Sequence, residues 1–171
     1  QAGERRGRRG ESRHARRPPG QPHAEAGERH GRGREAETGR GAFVDCGTNH
    51  SVPHLMAALQ AAGLQPADVD WLIVTHVHLD HAGGAGLLMQ QLPTATLGGQ
   101  ARAAPHLGDP AKLIAGATAV YGEAEMQRSY GQILPVPEAR VRVVQDREVI
   151  ALAGRRVECI GTPGHARHHH C

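Results

Sequence analysis

The sequence has few aromatic residues, few cysteines and no long apolar run. Phe, Trp and Tyr together make up 2% of its 171 residues. The three cysteines, Cys46, Cys159 and Cys171, form no C-x-x-C pair and leave one thiol over in any pairing, which argues against a disulfide framework. This cysteine usage favours a reduced, cytoplasmic setting. No apolar run has the length of a membrane span, and the arginine-rich start lacks the apolar stretch of a secretory signal, so we expect no membrane association.

Residues 1–40 contain no Val, Ile, Leu, Met, Phe, Trp, Tyr or Cys. Such a segment cannot bury enough apolar surface to offset its chain entropy, and we expect it to be a disordered, Arg/Gly-rich arm. The arm carries 11 Arg and 6 Glu, whereas residues 41–171 carry 9 Lys plus Arg and 11 Asp plus Glu. The positive charge therefore belongs to the arm and not to the rest of the chain.

Three interpretations of the arm stay open. It is an inert solvated segment, a nucleic-acid-binding arm that contacts phosphates, or a segment foreign to this domain, such as an out-of-frame translation. Arms that bind nucleic acid usually interleave aromatic residues for stacking on bases, and this arm has none. The composition thus counts against nucleic acid as a partner.

From residue 41 the sequence has the pattern of a folded α/β domain. Short apolar runs predict strands at residues 42–45, 71–75 and 94–99. Helical spacing predicts helices at residues 51–63, 85–92 and 110–134, the last interrupted near Gly122. Three more strands are predicted at residues 140–144, 147–152 and 155–161, as antiparallel neighbours joined by close turns. This order of elements predicts a sheet covered by helices.

The segment "THVHLDHAGG", residues 75–84, concentrates metal-ligand side chains directly after a predicted strand. Beyond the strand the chain can curl, so that His76, His78, Asp80 and His81 point into one pocket. Imidazoles and carboxylates suit zinc, with iron or manganese as alternatives. Four ligands in six residues exceed what one tetrahedral metal with an open position can take, so the turn predicts two metals. Two metals would activate a bridging water and polarise a carbonyl or phosphoryl oxygen, which indicates hydrolysis.

A second histidine-rich segment, "TPGHARHHHC" at residues 162–171, follows the last predicted strand. His165 would lie at a strand end, where it could complete a three-histidine site with His76 and His78. The histidines at 168–170 could be adventitious metal binders, and we expect at most one of them near the site. Asp45, at the end of the first strand, either orients a ligand imidazole through its second ring nitrogen or serves as a turn acid. The glycines at 83, 84 and 86 allow close approach of backbone or substrate.

These segments resemble the metallo-β-lactamase superfamily, in particular its metallo-hydrolases similar to glyoxalase II. "FVDCG" resembles the Asp-x-Gly strand end of that family, "THVHLDHAGG" its metal-binding signature, and "TPGHARHH" its Thr-Pro-Gly-His segment. The resemblance covers residues 42–171 and implies a four-layer αβ/βα sandwich with the site at one edge, between two sheets.

The resemblance also implies roles for individual residues. His76, His78 and His165 would bind the first metal, and Asp80 and His81 the second, with zinc as the expected metal and two ions in a complete site. Asp80 would in addition be the catalytic residue that contacts the attacking water and helps to protonate the leaving group. Further expected ligands, a bridging aspartate and a last histidine, are not supplied after His165. We therefore expect residues 41–171 to be a truncated domain, mainly the N-terminal half of the sandwich.

The function implied by the resemblance is metal-dependent hydrolysis of an ester, thioester or lactone-type bond in a small-molecule substrate, by a metal-bound hydroxide. We expect this activity to be impaired in the present chain. The alternatives are a metal-binding protein that no longer catalyses, an RNA-binding protein that uses the arm, and oxidation chemistry at an iron site. The sequence makes no prediction for the oligomeric state.

Overall fold

The computed structural model of the protein describes residues 39–171. The predictions made for the arm concern residues that, apart from Gly39 and Arg40, lie outside this range. Arg40 is attached to the domain, because its guanidinium donates a hydrogen bond of 3.1 Å to Asp70 Oδ1 and one of 3.2 Å to the Ala67 carbonyl oxygen. Within the described range, the helices are all too short or too polar to cross a bilayer.

Four parallel strands form the main sheet, in the order in which they occur along the chain. They are β1 (Gly41–Val44), β2 (Val69–Ile73), β3 (Thr96–Gln100) and β4 (Val141–Val144). The strand register pairs Phe43 with Leu72, Leu72 with Leu97, and Leu97 with Val141. A row of apolar side chains therefore crosses one face of all four strands, and this face needs a covering layer.

Helices between the strands provide that layer. They are α1 (Val52–Ala61), α2 (Leu79–Ala82), α3 (Ala85–Gln91), α4 (Ala104–Gly108), α5 (Ala111–Tyr121) and α6 (Glu123–Tyr130). Leu55 and Leu59 of α1 and Leu88 and Met89 of α3 are buried in the same core as the row on the sheet. Burying one such side chain contributes about 1.5–3 kcal/mol to the stability of the fold. Each helix therefore packs against the sheet with the face on which its apolar side chains recur.

Two further features hold α3 in place. The Arg140 guanidinium donates hydrogen bonds to the carbonyl oxygens of Met89 and Ala95, each at 2.7 Å, and to that of Leu92. At the other end of α3, a Cβ on Gly86 would lie 2.1 Å from the Leu134 carbonyl oxygen. Only glycine permits this close approach of α3 to the loop that follows α6.

The predicted pairing of the last three strands is wrong for the first of them. β4 pairs in parallel with β3 instead of joining an antiparallel group. The reason is the long connection through α4, α5 and α6, which is the kind of crossover that a parallel neighbour requires. Of these three strands, β5 (Glu148–Leu152) and β6 (Arg155–Cys159) are the two that form an antiparallel pair.

The β5–β6 hairpin covers part of the second face of the sheet. Its two turn residues, Ala153 and Gly154, have φ values of 49° and 77°, which a tight two-residue hairpin turn requires. Ile150 of β5 packs in a small second core with Ile73 of β2 and Val144 of β4. The main sheet thus lies between a helical layer and this hairpin, as expected of an α/β layered fold.

Candidate metal centre

The histidine turn lies at the carboxyl ends of β1 and β2. Asp45 directly follows β1, and His76 lies three residues beyond the end of β2. Parallel strands that are neighbours end at the same edge of their sheet, and this brings the two loops together. The Asp45 N–H donates a 2.8 Å hydrogen bond to the Ile73 carbonyl oxygen. The backbone hydrogen bonding between β1 and β2 therefore extends into the site.

Asp45 is the centre of the polar contacts beneath the histidines. Its carboxylate accepts hydrogen bonds from the Thr75 N–H at 2.7 Å, from the Thr75 hydroxyl at 2.9 Å and from His81 Nδ1 at 2.8 Å. Because a carboxylate only accepts, Nδ1 of His81 carries the hydrogen and its Nε2 keeps a free lone pair. Of the two interpretations of Asp45 from the sequence, this geometry supports the orienting role.

The same carboxylate also acts on His76, through Thr75. The Thr75 hydroxyl gives its hydrogen to Asp45, so its oxygen is left to accept a hydrogen bond from His76 Nδ1, 3.0 Å away. Nδ1 of His76 is then the donor, and Nε2 is the nitrogen with the free lone pair. One carboxylate therefore sets the tautomers of two imidazoles, with Nε2 available in both.

Backbone contacts lock the two loops against each other. The His81 carbonyl oxygen accepts from the N–H groups of Cys46 at 2.8 Å and Gly47 at 3.1 Å, and the Gly84 N–H donates to the Gly47 carbonyl oxygen at 2.9 Å. A Cβ on Gly84 would lie 2.7 Å from the Thr48 carbonyl oxygen. The close approach predicted from the glycines of this turn is thus an approach of backbone to backbone.

Three of the predicted ligands form one compact group. His76, His78 and His165 each offer a ring nitrogen, and these nitrogens all lie within 4.8 Å of one another. The ring centroids are 4.6 Å apart for His76 and His78, 5.0 Å for His76 and His165, and 4.9 Å for His78 and His165. Imidazoles bound to the same tetrahedral zinc have centroids about 5 Å apart, because the Zn–N bond is about 2.0–2.1 Å long. The spacing fits one metal ion.

His76 supplies a second indication of a metal ion. Its side chain is buried, with 1% of the residue exposed, and its Nε2 has no hydrogen-bond partner. A buried polar nitrogen without a partner costs free energy unless a ligand satisfies it. The chemistry of the donor set and the unsatisfied nitrogen both fit a metal ion held by the three imidazoles.

The electrostatics of the group favour neutral imidazoles. Burial, together with the neighbouring His81 and His78, lowers the pKa of His76 to about 4. Burial and the neighbouring His165 lower the pKa of His78 as well. Neutral imidazole is the form that binds metals, so protons compete little with a metal ion at neutral pH.

The other two predicted ligands lie beside this group. Asp80 Oδ2 is 3.5 Å from His81 Nε2, and the His81 ring centroid is 4.1 Å from that of His76. The Asp80 side chain is 68% exposed, and His78 and His165 of the compact group are exposed as well, so solvent reaches both sets of residues. The structure thus brings all five predicted ligands to one edge of the sheet, three as a compact group and two as an adjoining pair.

The prediction for the histidines at 168–170 is wrong, because two of them lie near the site. The ring centroid of His76 is 6.2 Å from that of His168 and 5.2 Å from that of His169. Gly161 and His170 form an antiparallel bridge, and this folds the chain back over the histidine group. A run of identical residues has no periodicity, so no pattern in the sequence could indicate this fold-back.

The fold and the site together define a class of protein: an α/β domain with a histidine-rich candidate metal centre at the carboxyl edge of its sheet. The family model of the metallo-β-lactamase superfamily matches residues 36–171. The chain therefore belongs to the metallo-β-lactamase superfamily, which confirms the expected family and fold class. None of the curated proteins matches the sequence.

Solved structures agree with this assignment. MEM-A1, a subclass B3 metallo-β-lactamase from a soil metagenome library, is 28% identical with a TM-score of 0.58, over 77% of this chain and 46% of that chain. The metallo-β-lactamase SMB-1 in complex with mercaptoacetic acid gives the same values. A B3 metallo-β-lactamase with an active-site glutamic acid is 26% identical with a TM-score of 0.58, over 75% of this chain and 44% of that chain. The present chain thus spans less than half the length of these proteins.

Proposed function

We propose that the protein is a metal-dependent hydrolase whose first metal ion is bound by His76, His78 and His165. The observation that carries this proposal is the buried, unpartnered Nε2 of His76 within a group whose ring spacing suits a single ion. Zinc is the proposed metal, because it is commonly bound by neutral imidazoles in a tetrahedral arrangement. A bound zinc ion would supply Lewis acidity and would make water a nucleophile near neutral pH.

The adjoining pair would serve a second ion. Nε2 of His81 has a free lone pair because Asp45 holds the hydrogen on Nδ1, and Asp80 Oδ2 faces that nitrogen at 3.5 Å. The exposure of Asp80 leaves its carboxylate accessible to substrate and to water. We assign to Asp80 the catalytic role of accepting a proton from the attacking water and returning it to the leaving group.

The substrate class is an acyl compound with an activated bond. Ester, thioester and lactone bonds are the candidates from the sequence, and the solved structures described above add the β-lactam ring, since their names identify them as metallo-β-lactamases. We place a small-molecule β-lactam first among these substrates.

Metal titration tests the first part of the proposal. Zinc binding to the full chain, measured in competition with a chromogenic chelator, should be stoichiometric and should weaken about 100-fold or more in His76→Ala, His78→Ala and His165→Ala. His54→Ala is the matched control, because His54 is exposed on α1 and is not part of the group. Zinc binding that is equally strong in all four variants would refute the proposed site.

Hydrolysis assays test the second part. A chromogenic cephalosporin, a thioester and a lactone should be compared with and without added zinc, in the original chain and in Asp80→Asn. We expect turnover that depends on zinc and falls about 100-fold or more in Asp80→Asn, with the zinc affinity of the histidine group retained. Turnover that is insensitive to both zinc and this substitution would contradict the assignment of Asp80.

A further inference from the structure

The three candidate ligands of the first metal ion are carried by two different sheets. His76 and His78 follow β2 of the main sheet, whereas His165 follows β6 of the hairpin. Nevertheless His165 Nε2 lies 3.1 Å from His78 Nδ1, a separation that suits two nitrogens bound to one zinc ion. The loop that carries His165 must therefore be held in a fixed position relative to the end of β2.

This loop, residues 161–171, is called the His165 loop below, and its two ends are closed on each other. The Ile160 N–H donates to the Cys171 carbonyl oxygen at 2.7 Å, and the Cys171 N–H donates back to the Ile160 carbonyl oxygen at 2.9 Å. Within the loop, the Thr162 N–H donates to the His169 carbonyl oxygen at 3.0 Å. These hydrogen bonds shape the loop and tie it to β6, but they do not join it to the main sheet.

His170 connects the His165 loop to the main sheet. It is buried, with 3% of the residue exposed, and its N–H donates to the Thr75 carbonyl oxygen at 3.0 Å. Its Nε2 lies 2.7 Å from the Val74 carbonyl oxygen, and because a carbonyl oxygen only accepts, Nε2 carries the hydrogen. Two consecutive carbonyl groups directly before His76 thus each receive a hydrogen bond from one residue of the loop.

No other hydrogen bond within residues 39–171 duplicates this connection. The two from His170 are the ones that join the His165 loop to residues 69–75. The loop makes one further hydrogen-bond contact with the metal-binding turn, between the rings of His165 and His78 themselves. Both of these residues are exposed, so water competes for that contact. Before a metal ion binds, the position of His165 therefore depends mainly on the buried anchor at His170.

We propose that His170 is a positioning residue, which holds His165 at the distance from His76 and His78 that one metal ion requires. The inference rests on the proposed function, since it concerns a metal ion at those three imidazoles. His170 acts through the backbone of its loop and is not part of the compact ligand group, so the fourth position of the ion stays open for water. Loss of a residue that orients a metal ligand typically weakens metal binding about 10–100-fold.

Zinc titration of the full chain against a chromogenic chelator tests this inference without any need for turnover. His170→Phe keeps a ring but lacks a donor, and His170→Asn has an amide too short to reach the Val74 carbonyl oxygen. We expect both variants to bind zinc about tenfold or more weakly. His170→Gln, whose amide can donate in place of Nε2–H, should bind zinc nearly as tightly as the original chain. His50→Phe is the matched control, because His50 Nε2 also lies 3.0 Å from a backbone carbonyl oxygen, that of Arg128, but outside the His165 loop.

A double substitution separates positioning from a general loss of structure. If His170 acts through His165, the variant His165→Ala/His170→Phe should bind zinc as weakly as His165→Ala alone. Losses that multiply in the double variant would mean that His170 supports the site as a whole, and would contradict the positioning role. Urea unfolding of the metal-free variants shows which of them fold. If His170→Phe does not fold, His170→Asn takes its place in both comparisons.

The possible failures are distinguishable. Zinc binding that is unchanged in His165→Ala would overturn the proposed function itself. Weakened binding in His165→Ala, combined with unchanged affinity in His170→Phe and His170→Asn, would overturn only the positioning role. Equal losses in His170→Gln and His170→Asn would also contradict it, since the hydrogen bond to Val74 would then not be responsible.

Discussion

Replacement of Asp45 by asparagine should change the tautomers of two imidazoles at once. The carboxylate holds the hydrogen on Nδ1 of His81 directly and on Nδ1 of His76 through the Thr75 hydroxyl. In Asp45→Asn one oxygen becomes an amide N–H₂, which can only donate. We expect the amide to donate to His81 Nδ1 and thereby move the hydrogen of that ring to Nε2, the nitrogen assigned to the second metal.

The expected cost in stability follows from the contacts of Asp45. Its side chain is 18% exposed and accepts from the Thr75 N–H, the Thr75 hydroxyl and His81. A hydrogen bond to a charged group contributes about 1.5–3 kcal/mol, and asparagine keeps the acceptor for the backbone N–H. We therefore expect the free energy of unfolding to fall by about 2–3 kcal/mol. The left-handed backbone at φ 58° adds little to this cost, because asparagine tolerates that conformation as aspartate does.

The assay combines long-range ¹H–¹⁵N NMR of the imidazoles in the metal-free protein with urea unfolding. Thr75→Val should alter the tautomer of His76 alone, since the valine still offers its N–H to Asp45. Asp68→Asn is the matched control, because Asp68 also accepts a backbone hydrogen bond, 2.8 Å from the Gln65 N–H, but lies outside the site. If His81 keeps its hydrogen on Nδ1 in Asp45→Asn and stability changes by less than about 0.5 kcal/mol, the assigned role of Asp45 is refuted.

Three further predictions concern stability, each measured by urea unfolding of the metal-free protein. The pKa of His76 is lowered to about 4 from 6.5, so the folded state binds fewer protons than the unfolded chain between these values. The free energy of unfolding should thus fall by about 3 kcal/mol as the pH drops from 6.5 to 4, and His76→Gln should reduce this dependence. Gly86→Ala should destabilise the fold by several kcal/mol, because its Cβ would meet the Leu134 carbonyl oxygen. Gly116→Ala should instead stabilise it by about 0.5–1 kcal/mol, because a Cβ there meets nothing within 4 Å. Equal effects of the two substitutions would contradict the packing of α3. Arg140→Lys should cost about 2 kcal/mol, since lysine lacks the planar fork that serves three carbonyl oxygens, and an unchanged stability would exclude that role.

The clustering of ligand-type side chains was predictable because these residues lie close together in the sequence. Asp80 and His81 lie within five residues of His76, and a strand that ends just before them delivers all of them to one edge of the sheet. His165 was predictable from a second strand-to-turn segment of the same kind. In the first segment the signal is a change from an apolar, β-branched run to ligand-type side chains, and in the second it is Thr-Pro-Gly-His directly after a predicted strand.

What the sequence did not predict depends on contacts between distant residues. The parallel pairing of β4 with β3 is set by the crossover of residues 101–140. The four residues of β4 contain no sequence signal that identifies the strand with which they pair. The positions of His168 and His169 likewise depend on a backbone bridge between Gly161 and His170. The hydrogen bonds from Asp45 through Thr75 to His76 could be recognised only in the three-dimensional structure. The sequence signals for them were an acid at the end of the first strand and a threonine directly before the first histidine.

The central claim is that His76, His78 and His165 bind one metal ion, and X-ray absorption at the zinc edge tests it most directly. The full chain loaded with one equivalent of zinc should give a shell of nitrogen ligands at about 2.0–2.1 Å, with the multiple-scattering pattern of at least three imidazoles. His54→Ala should give the same spectrum, and His76→Ala should lose imidazole scattering. A sulfur shell at about 2.3 Å, or a shell without imidazoles, would place the zinc on a cysteine or on exposed carboxylates and would contradict the claim.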